Sequence, residues 1–457
     1  MSEHRDRVIA TWRAVTVLSW PIVVQQVLNT LMRSVDIVVT GLFSPAAVAA
    51  IGLADLYAQI PFRIGRALGT GGIALSSQDT GRGNAKTRDQ AVTQALLIGF
   101  LVGLPIVIIG LTLSDVLIAI LGAESEVVRM GARYLAFVFV AAPLRIVALV
   151  GARSLQGTGD TRTPLVVNGL ANLFNIIATV GLGLGLVGLP RLGIVGVGLA
   201  TALSRGFECI TILGMIVSDR TELSLRRPRD ATVTKQLVAV GFPNFAEGMS
   251  TSVANFPFNA LLLVFGTEVS AAYHIGRRIY QQLAGPLYRS YSVAASIVVG
   301  QKLGAGDTAD ARFSGLAITA LSALSLSIVG IVIWVMAEPL SKIFTSDLVT
   351  LGYAISFTRI SGISMLFFGV FFPMAGALQG ASDTRTPFYA RFTGTVCFML
   401  CFSYLVGVWL GYGLSAVYVG IVLTYVWWAL VACVGFLWGD WAERAEQMMA
   451  ERASTAN

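Results

Sequence analysis

One aspartate stands in the middle of the first long apolar run, in the stretch NTLMRSVDIVVTG at residues 29 to 41. A charge at the centre of a bilayer costs roughly 2.5 to 3.5 kcal/mol or more unless it is paired, hydrated or protonated. Asp36 is therefore predicted to be an ion-coupling carboxylate that takes up a proton on one side of the membrane and releases it on the other. Arg33 lies one helical turn earlier on the same face, so a structural ion pair between the two is the alternative.

Polar side chains also follow helical spacing in three segments of the first half of the chain. At 100° per residue, Gln26, Asn29 and Asp36 fall within an arc of about 100° in the first segment. The fifth and sixth apolar segments carry similar stripes, with Asn172, Asn175, Thr179 and Thr201 among their members. The three stripes can converge on one site, although hydrogen bonding between helices would by itself explain the amides and hydroxyls.

The second half of the chain offers a different set of side chains. Glu247 and Asn255 share a stripe that begins after Pro243, while Tyr273, Arg277 and Tyr280 share one face of the next segment. An aromatic wall suits flat organic cations, but tyrosine at helical spacing is also common in plain packing. The candidate substrate-binding residues are Gln26, Asn29, Glu247, Asn255, Tyr273, Arg277 and Tyr280.

Composition shows which elements must position these residues. Of 457 residues, 55% are hydrophobic and only 12% are charged, which is typical of a membrane protein with many spans. A span needs about 20 mostly apolar residues. The predicted spans number twelve: 14–41, 46–76, 89–113, 127–155, 163–188, 193–217, 234–265, 269–300, 312–337, 349–379, 388–410 and 413–438.

The loops between these spans differ in charge. If the N-terminus is cytoplasmic, nearly all loop arginines and lysines lie inside, and the outside loops hold little beyond Arg191 and Lys342. The positive-inside rule then places both termini in the cytoplasm of a multi-pass plasma-membrane protein. The net charge of +7 follows from this topology and needs no nucleic-acid partner.

The chain contains a repeat. Residues 155–164 read LQGTGDTRTP and residues 378–387 read LQGASDTRTP, and the same offset of 223 carries Arg66 onto Arg289. The repeat predicts two pseudo-symmetric six-helix lobes around a central cleft in an all-α fold. We expect the N-terminal lobe at 1–219, a basic linker at 220–236, the C-terminal lobe at 237–440 and a cytoplasmic tail at 441–457. Asp160 and Asp383 of the paired loops are predicted to cap the helices that follow.

The aspartate in VDIVVTG, the paired LQGxxDTRTP loops and the GQxxGxG pattern after the second and eighth spans resemble the multidrug and toxic compound extrusion (MATE) family over essentially the whole chain. The resemblance implies antiport of small organic, often cationic or amphipathic, compounds against H⁺ or Na⁺ by alternating access. It also implies that the protein needs no cofactor, contacts membrane lipid and functions as a monomer.

The same resemblance implies an ion-coupling site in the first lobe. The family places its coupling aspartate at Asp36, and Asn175 and Thr201 match its cation-site positions, so a Na⁺ site would use Asp36, Asn175 and Thr201. Thr179 stands where the archaeal-type pattern has a second aspartate, and this departure favours a proton or a weaker Na⁺ site. Asn172 and Thr179 complete the predicted coupling set.

Other classes of protein are less compatible with the sequence. Several arginines lie near the spans, so a flippase for an anionic or lipid-linked substrate is an alternative function. The sequence does not exclude a channel either. An enzyme is not expected, because His4 and His274 are the only histidines and no HExxH or GxSxG motif occurs. The four cysteines all fall inside apolar segments, which argues against a disulfide framework or a metal site.

Overall fold

The structure is a computed structural model that describes residues 2–186, 188–218, 220–228 and 231–456. These residues form helices and connecting turns, with no strand among them. The all-α class predicted from hydropathy is thus confirmed. Asp219, Arg229, Asp230 and Asn457, which belong to the predicted lobe, linker and tail, lie outside the described residues.

The first half of the chain supplies seven helices. They are α1 (Ser2–Gly41), α2 (Pro45–Gly81), α3 (Ala85–Ala119), α4 (Ser125–Val140), α5 (Ala142–Gly157), α6 (Arg162–Leu184) and α7 (Ile194–Val217). The fifth span was predicted to reach residue 188, but α6 ends at Leu184. It ends there because Gly185 adopts a left-handed conformation (φ 74°), in which its N–H and that of Leu186 both bond to the carbonyl of Gly181.

The second half supplies the remaining helices. They are α8 (Thr232–Val264), α9 (Thr267–Leu283), α10 (Gly285–Gly304), α11 (Thr308–Val335), α12 (Ala337–Lys342), α13 (Leu348–Gly380), α14 (Arg385–Gly394), α15 (Leu414–Trp438) and α16 (Trp441–Ala456). Two π-helical segments, Thr395–Phe402 and Leu405–Trp409, extend α14.

Each of the twelve predicted spans corresponds to one helix or to one interrupted helix. Among the described residues, nine helices are long and apolar enough to cross a membrane, and α4 with α5 makes a tenth. The spans formed by α8 and by α9 with α10 complete the twelve. Both spans carry polar side chains, among them Glu247, Asn255 and Arg277.

Proline lies just after each break in an interrupted span. The fourth span bends by 47° between α4 and α5, and Pro143 occupies the first turn of α5. The eighth span is broken at Ala284, with Pro286 in the first turn of α10. Proline lacks an N–H and its ring clashes with the preceding turn, so it begins a helix readily but does not continue one.

The repeat in the sequence is also a repeat in local structure. Asn84 caps α3 by accepting a hydrogen bond from the N–H of Thr87, and Asp307 caps α11 by accepting one from the N–H of Asp310. Asp160 accepts hydrogen bonds from the N–H groups of Arg162 and Thr163, and Asp383 does the same at Arg385 and Thr386. The DTRTP loops therefore hold the start of α6 and of α14, which is the capping role predicted for both aspartates.

The chain forms two compact units. Unit 1 holds the chain up to Val23, Gly81–Gly83 and Phe242–Ala450, and unit 2 holds Val24–Thr80, Asn84–Gly241 and the chain from Glu451 onward. Among the described helices, α1, α2, α8 and α16 contribute residues to both units. The lobe boundaries predicted from the sequence stay a prediction.

Each unit has its own apolar core, and small residues allow close helix packing there. In unit 2, a Cβ added to Gly103 of α3 would lie 2.5 Å from the Cα of Pro143 in α5. Such close approach of backbones is typical of helix association in lipid, where dispersion contacts replace the hydrophobic effect.

Candidate functional site

Asp36 lies in the C-terminal part of α1, within unit 2, and its side chain is half-buried. Its carboxylate accepts a hydrogen bond from the hydroxyl of Thr179 in α6, at 3.2 Å. Thr40, one turn later, is buried and donates to the backbone carbonyl of Asp36 at 2.6 Å. The carboxylate thus points toward α6 and not along its own helix.

Arg33 does not neutralise this carboxylate. Its side chain is exposed, and within the described part of the chain no ion pair or hydrogen bond joins it to Asp36. The structural pair considered from the sequence is therefore absent, and a neutral hydroxyl takes the place of a counter-charge.

A chain of amide groups runs beside Asp36 and links three helices. Asn172 of α6 donates to the side-chain oxygens of Asn29 in α1, at 3.0 Å, and of Asn168, at 3.1 Å. Asn168 in turn donates to Glu208 of α7 at 2.8 Å. The predicted stripes on α1, α6 and α7 do converge. Gln26 is half-buried on α1, but the structure shows no hydrogen bond from its side chain to this chain of amides.

Two buried amide oxygens in this region have no donor. Asn175 is fully buried and donates to the hydroxyl of Ser204 at 3.3 Å, while its own oxygen makes no hydrogen bond with any described group. The side-chain oxygen of Asn172 is unpaired in the same sense. A buried acceptor without a donor costs about 1–3 kcal/mol, so such oxygens are suited to receiving a cation or a proton donor.

Thr201 lies on α7, one turn before Ser204 and Arg205. It is buried and its hydroxyl donates to the carbonyl of Val197 at 2.9 Å. Its own carbonyl accepts from Ser204, which joins it to Asn175 through one hydroxyl. No group of three or more histidine, cysteine, aspartate or glutamate side chains within the described residues could hold a metal ion. A cation at this site would therefore be held by Asp36 and neutral oxygens.

In unit 1, the carboxylate of Glu247 has a different kind of partner from that of Asp36. Glu247 of α8 is buried and forms an ion pair with Arg391 of α14. The guanidinium of Arg391 also lies 4.7 Å from the ring centroid of Trp428. Glu247, predicted as a substrate-binding residue, is thus already bound to a counter-charge.

The other predicted residues of unit 1 lie around an aromatic cluster. Arg277 of α9 donates to the side-chain oxygen of Asn255 at 3.4 Å. Tyr273 packs edge-on against Phe258 at 5.1 Å, and Tyr280 packs edge-on against a second phenylalanine. Both tyrosine rings pack against phenylalanines, and both tyrosines also lie near the charge of Arg277.

Two arginines form ion pairs with buried carboxylates, although their positions in the sequence offered no reason to assign them to a site. Arg391 is the partner of Glu247, 144 positions away along the chain. Arg452 of α16 is buried and forms an ion pair with Asp79 at 3.1 Å, while it also donates to Gln78 and Gln236 in unit 2. Neither pairing has a local sequence signal, because both partners are distant in sequence.

Membrane-crossing helices built on a sequence repeat, with a polar site buried among them, define a transporter of the multi-pass membrane class. The MatE family profile matches residues 21–180 and 243–405, which is more than half of the sequence. The chain belongs to this family of multidrug efflux transporters, and the resemblance stated above is confirmed.

Several known sequences are similar over nearly their full length. A probable multidrug resistance protein NorM of Thermotoga maritima is 28% identical over 433 residues, covering 94% of this chain and 92% of that protein. A probable multidrug resistance protein YoeA of Bacillus subtilis is 23% identical and covers 92% and 94%.

Solved structures share the fold. One, described as the outward-facing conformation of a multidrug resistance MATE family transporter, superimposes with a TM-score of 0.86 at 22% identity and covers 96% of both chains. A transporter of the MOP superfamily from Pyrococcus furiosus gives a TM-score of 0.85 at 22% identity, covering 96% of this chain and 97% of that one. At this identity the likeness concerns the fold alone.

Proposed function

We propose that this protein is a secondary antiporter that extrudes small organic, cationic or amphipathic compounds in exchange for H⁺ or Na⁺ by alternating access. The observation that carries the proposal is the state of Asp36. It is a carboxylate within a membrane span that has a hydroxyl partner, Thr179, and that forms no ion pair with any described residue. A group in that state is stabilised by binding a cation, and binding can therefore drive a conformational change.

The coupling site consists of Asp36, Asn172, Asn175, Thr179 and Thr201. The unpaired oxygens of Asn172 and Asn175 support this assignment, because both are acceptors that a bound cation or a protonated group would satisfy. A single carboxylate with neutral oxygens is a complete site for a proton and a weak one for Na⁺.

A cationic cargo agrees with the partners of several intramembrane arginines. Arg205 is paired with Glu208 at 2.6 Å, and Arg391 is paired with Glu247. The guanidinium of Arg145 lies 5.2 Å from the ring centroid of Phe62. These arginines have partners, which leaves less positive charge to attract an anion.

The candidate cargo contacts are Gln26, Asn29, Glu247, Asn255, Tyr273, Arg277 and Tyr280. Aromatic rings and a few polar groups suit flat amphipathic cations. The charge asymmetry of the loops supports a plasma-membrane orientation with both termini in the cytoplasm.

Transport by purified protein in proteoliposomes tests the proposal. A fluorescent organic cation is followed under an imposed pH gradient and, separately, under an imposed Na⁺ gradient. We expect one of the two gradients to drive accumulation against the concentration gradient of the cation, which a channel cannot do. Asp36→Asn is expected to reduce this transport to the level of protein-free liposomes.

Two variants serve as controls. Asp115→Asn removes an exposed carboxylate that lies near the end of α3, and it is expected to transport like the wild type. Arg33→Gln is also expected to transport, because Arg33 is not bonded to Asp36. Gradient-driven transport by Asp36→Asn at the wild-type rate would contradict the proposal.

A further inference from the structure

A cavity of about 490 Å³ lies at the end of unit 2 where α1 ends and α4 begins. Its walls come from the turn after α1, the first turns of α4 and the residues that precede and start α7. Three arginines line it: Arg129, Arg133 and Arg191. We call it the arginine cavity.

The three guanidiniums of the arginine cavity have no ionic or hydrogen-bonding partner among the described residues. In the described ranges, none of them forms an ion pair or a hydrogen bond, although Glu126 lines the same cavity. Arg129 and Arg133 are four residues apart on α4, a spacing at which like charges repel and weaken a helix. The cavity thus concentrates positive charge that the fold itself does not use.

Backbone groups add to the positive character of the cavity. Gly193, Ile194 and Val195 line it, and Ile194 is the first residue of α7. No side chain caps this helix start. The first N–H groups of a helix carry partial positive charge and bind anions.

The repeat supplies an internal comparison. α4 begins at Ser125 and its counterpart α13 begins at Leu348, so the offset of 223 places Val349, Gly352 and Ser356 opposite Glu126, Arg129 and Arg133. None of these three residues is charged.

The third arginine has no charged counterpart either. Gly193, the residue before α7, matches Gly413, the residue before α15, because both have positive φ (58° and 68°). The offset of this pairing is 220 (413 − 193), and it places Gly411 opposite Arg191. The fold forms in both halves, so the three arginines are not required for the architecture.

We infer that the arginine cavity binds a phosphate-type anion, either the phosphate of a lipid headgroup or a free phosphate ester. Guanidinium groups match phosphate oxygens in geometry and can bind them through two parallel hydrogen bonds. Apolar residues also line the cavity, among them Phe43 and Met130, and they suit the glycerol and acyl portion of a lipid. This inference does not depend on the proposed antiport.

Lipid binding to the purified protein tests the inference. Native mass spectrometry in detergent counts bound short-chain phosphatidylglycerol, with phosphatidylcholine as the lipid control, and calorimetry measures binding of inorganic phosphate. Wild-type protein is expected to hold one more phosphate-bearing ligand than the triple variant Arg129→Gln, Arg133→Gln, Arg191→Gln. Each single substitution is expected to weaken binding about tenfold, the effect of losing one charge-assisted hydrogen bond.

Glu126→Gln is the matched control, and its expected effect on anion binding is opposite to that of the arginine substitutions. It removes a carboxylate that lines the cavity, so it is expected to tighten anion binding, and its exposed position leaves folding unaffected. Phosphatidylglycerol binding without competition from phosphate identifies a lipid site, and competition by millimolar phosphate identifies a free-anion site. Equal stoichiometry and affinity in the wild type and in the folded triple variant would overturn the inference.

Discussion

The two units come from one repeated sequence, but two carboxylates in their spans, Asp36 and Glu247, have different kinds of partner. In unit 2, Asp36 accepts a hydrogen bond from the hydroxyl of Thr179 and forms no ion pair with any described residue. In unit 1, Glu247 meets the guanidinium of Arg391. The position that matches Asp36 in the second half falls near Phe258, whose buried ring packs against Tyr273.

This difference shows which half can change its charge state. A carboxylate bonded to a hydroxyl can gain or lose a cation without breaking an ion pair. A carboxylate paired with a largely buried guanidinium, as Glu247 is with Arg391, cannot lose its charge without leaving the arginine uncompensated. Duplication therefore preserved the helical frame, while ion coupling is expected in unit 2 and a fixed charge pair is found in unit 1.

The largest expected effect concerns these two carboxylates. Glu247→Gln is expected to lower the free energy of unfolding by about 3–5 kcal/mol, because it leaves the largely buried charge of Arg391 unpaired. Asp36→Asn is expected to leave the free energy of unfolding unchanged or to raise it, because it removes a carboxylate that forms no ion pair with any described residue. Unfolding in mixed micelles, followed by circular dichroism, measures both.

The exposed Asp115→Asn serves as the reference for this pair of variants. Equal destabilisation by Asp36→Asn and Glu247→Gln would show that Asp36 is held as firmly as Glu247, and the contrast between the units would then be wrong.

A smaller effect is expected for the amides. Asn172→Leu removes two hydrogen bonds and leaves the oxygens of Asn29 and Asn168 without this donor, which should cost about 1–3 kcal/mol of unfolding free energy. Asn255→Leu in unit 1 should cost less, because its bond to Arg277 is 3.4 Å long and Asn255 is only half-buried. The same unfolding measurement compares them, and a larger loss for Asn255→Leu would reverse the comparison.

The smallest effect should be equal in the two units. Asn84→Ala and Asp307→Ala each remove the side-chain cap of a corresponding helix, α3 and α11. Each is expected to lower the free energy of unfolding by about 1 kcal/mol. Serine at either position keeps a capping oxygen and should restore stability. Clearly unequal losses would show that the two halves of the repeat differ even in the capping of corresponding helices.

Hydropathy and helical spacing predicted the features that a single segment determines. Each span must be apolar enough to cross the membrane by itself, so it can be predicted from about 20 consecutive residues. The convergence of Asn29, Asp36 and Asn172 was predictable because each lies on a polar stripe of an apolar helix. The capping roles of Asp160 and Asp383 follow from local spacing in the same way.

Pairings between distant positions were not predictable from one sequence. Nothing near Glu247 indicates Arg391, and nothing near Asp36 indicates that Arg33 would point away from it. These outcomes depend on how helices rotate and pack against one another, which hydropathy does not encode. The roles of the site residues stay predictions until transport is measured.

The buried pair between Asp79 and Arg452 has a consequence for biosynthesis. The two residues are 373 positions apart, and both belong to unit 2. At about 5–20 residues per second, a ribosome needs roughly 20–75 s after Asp79 to reach Arg452. Through that interval the nascent first half carries a carboxylate whose arginine has not yet been made, so unit 2 can mature only after translation is nearly finished.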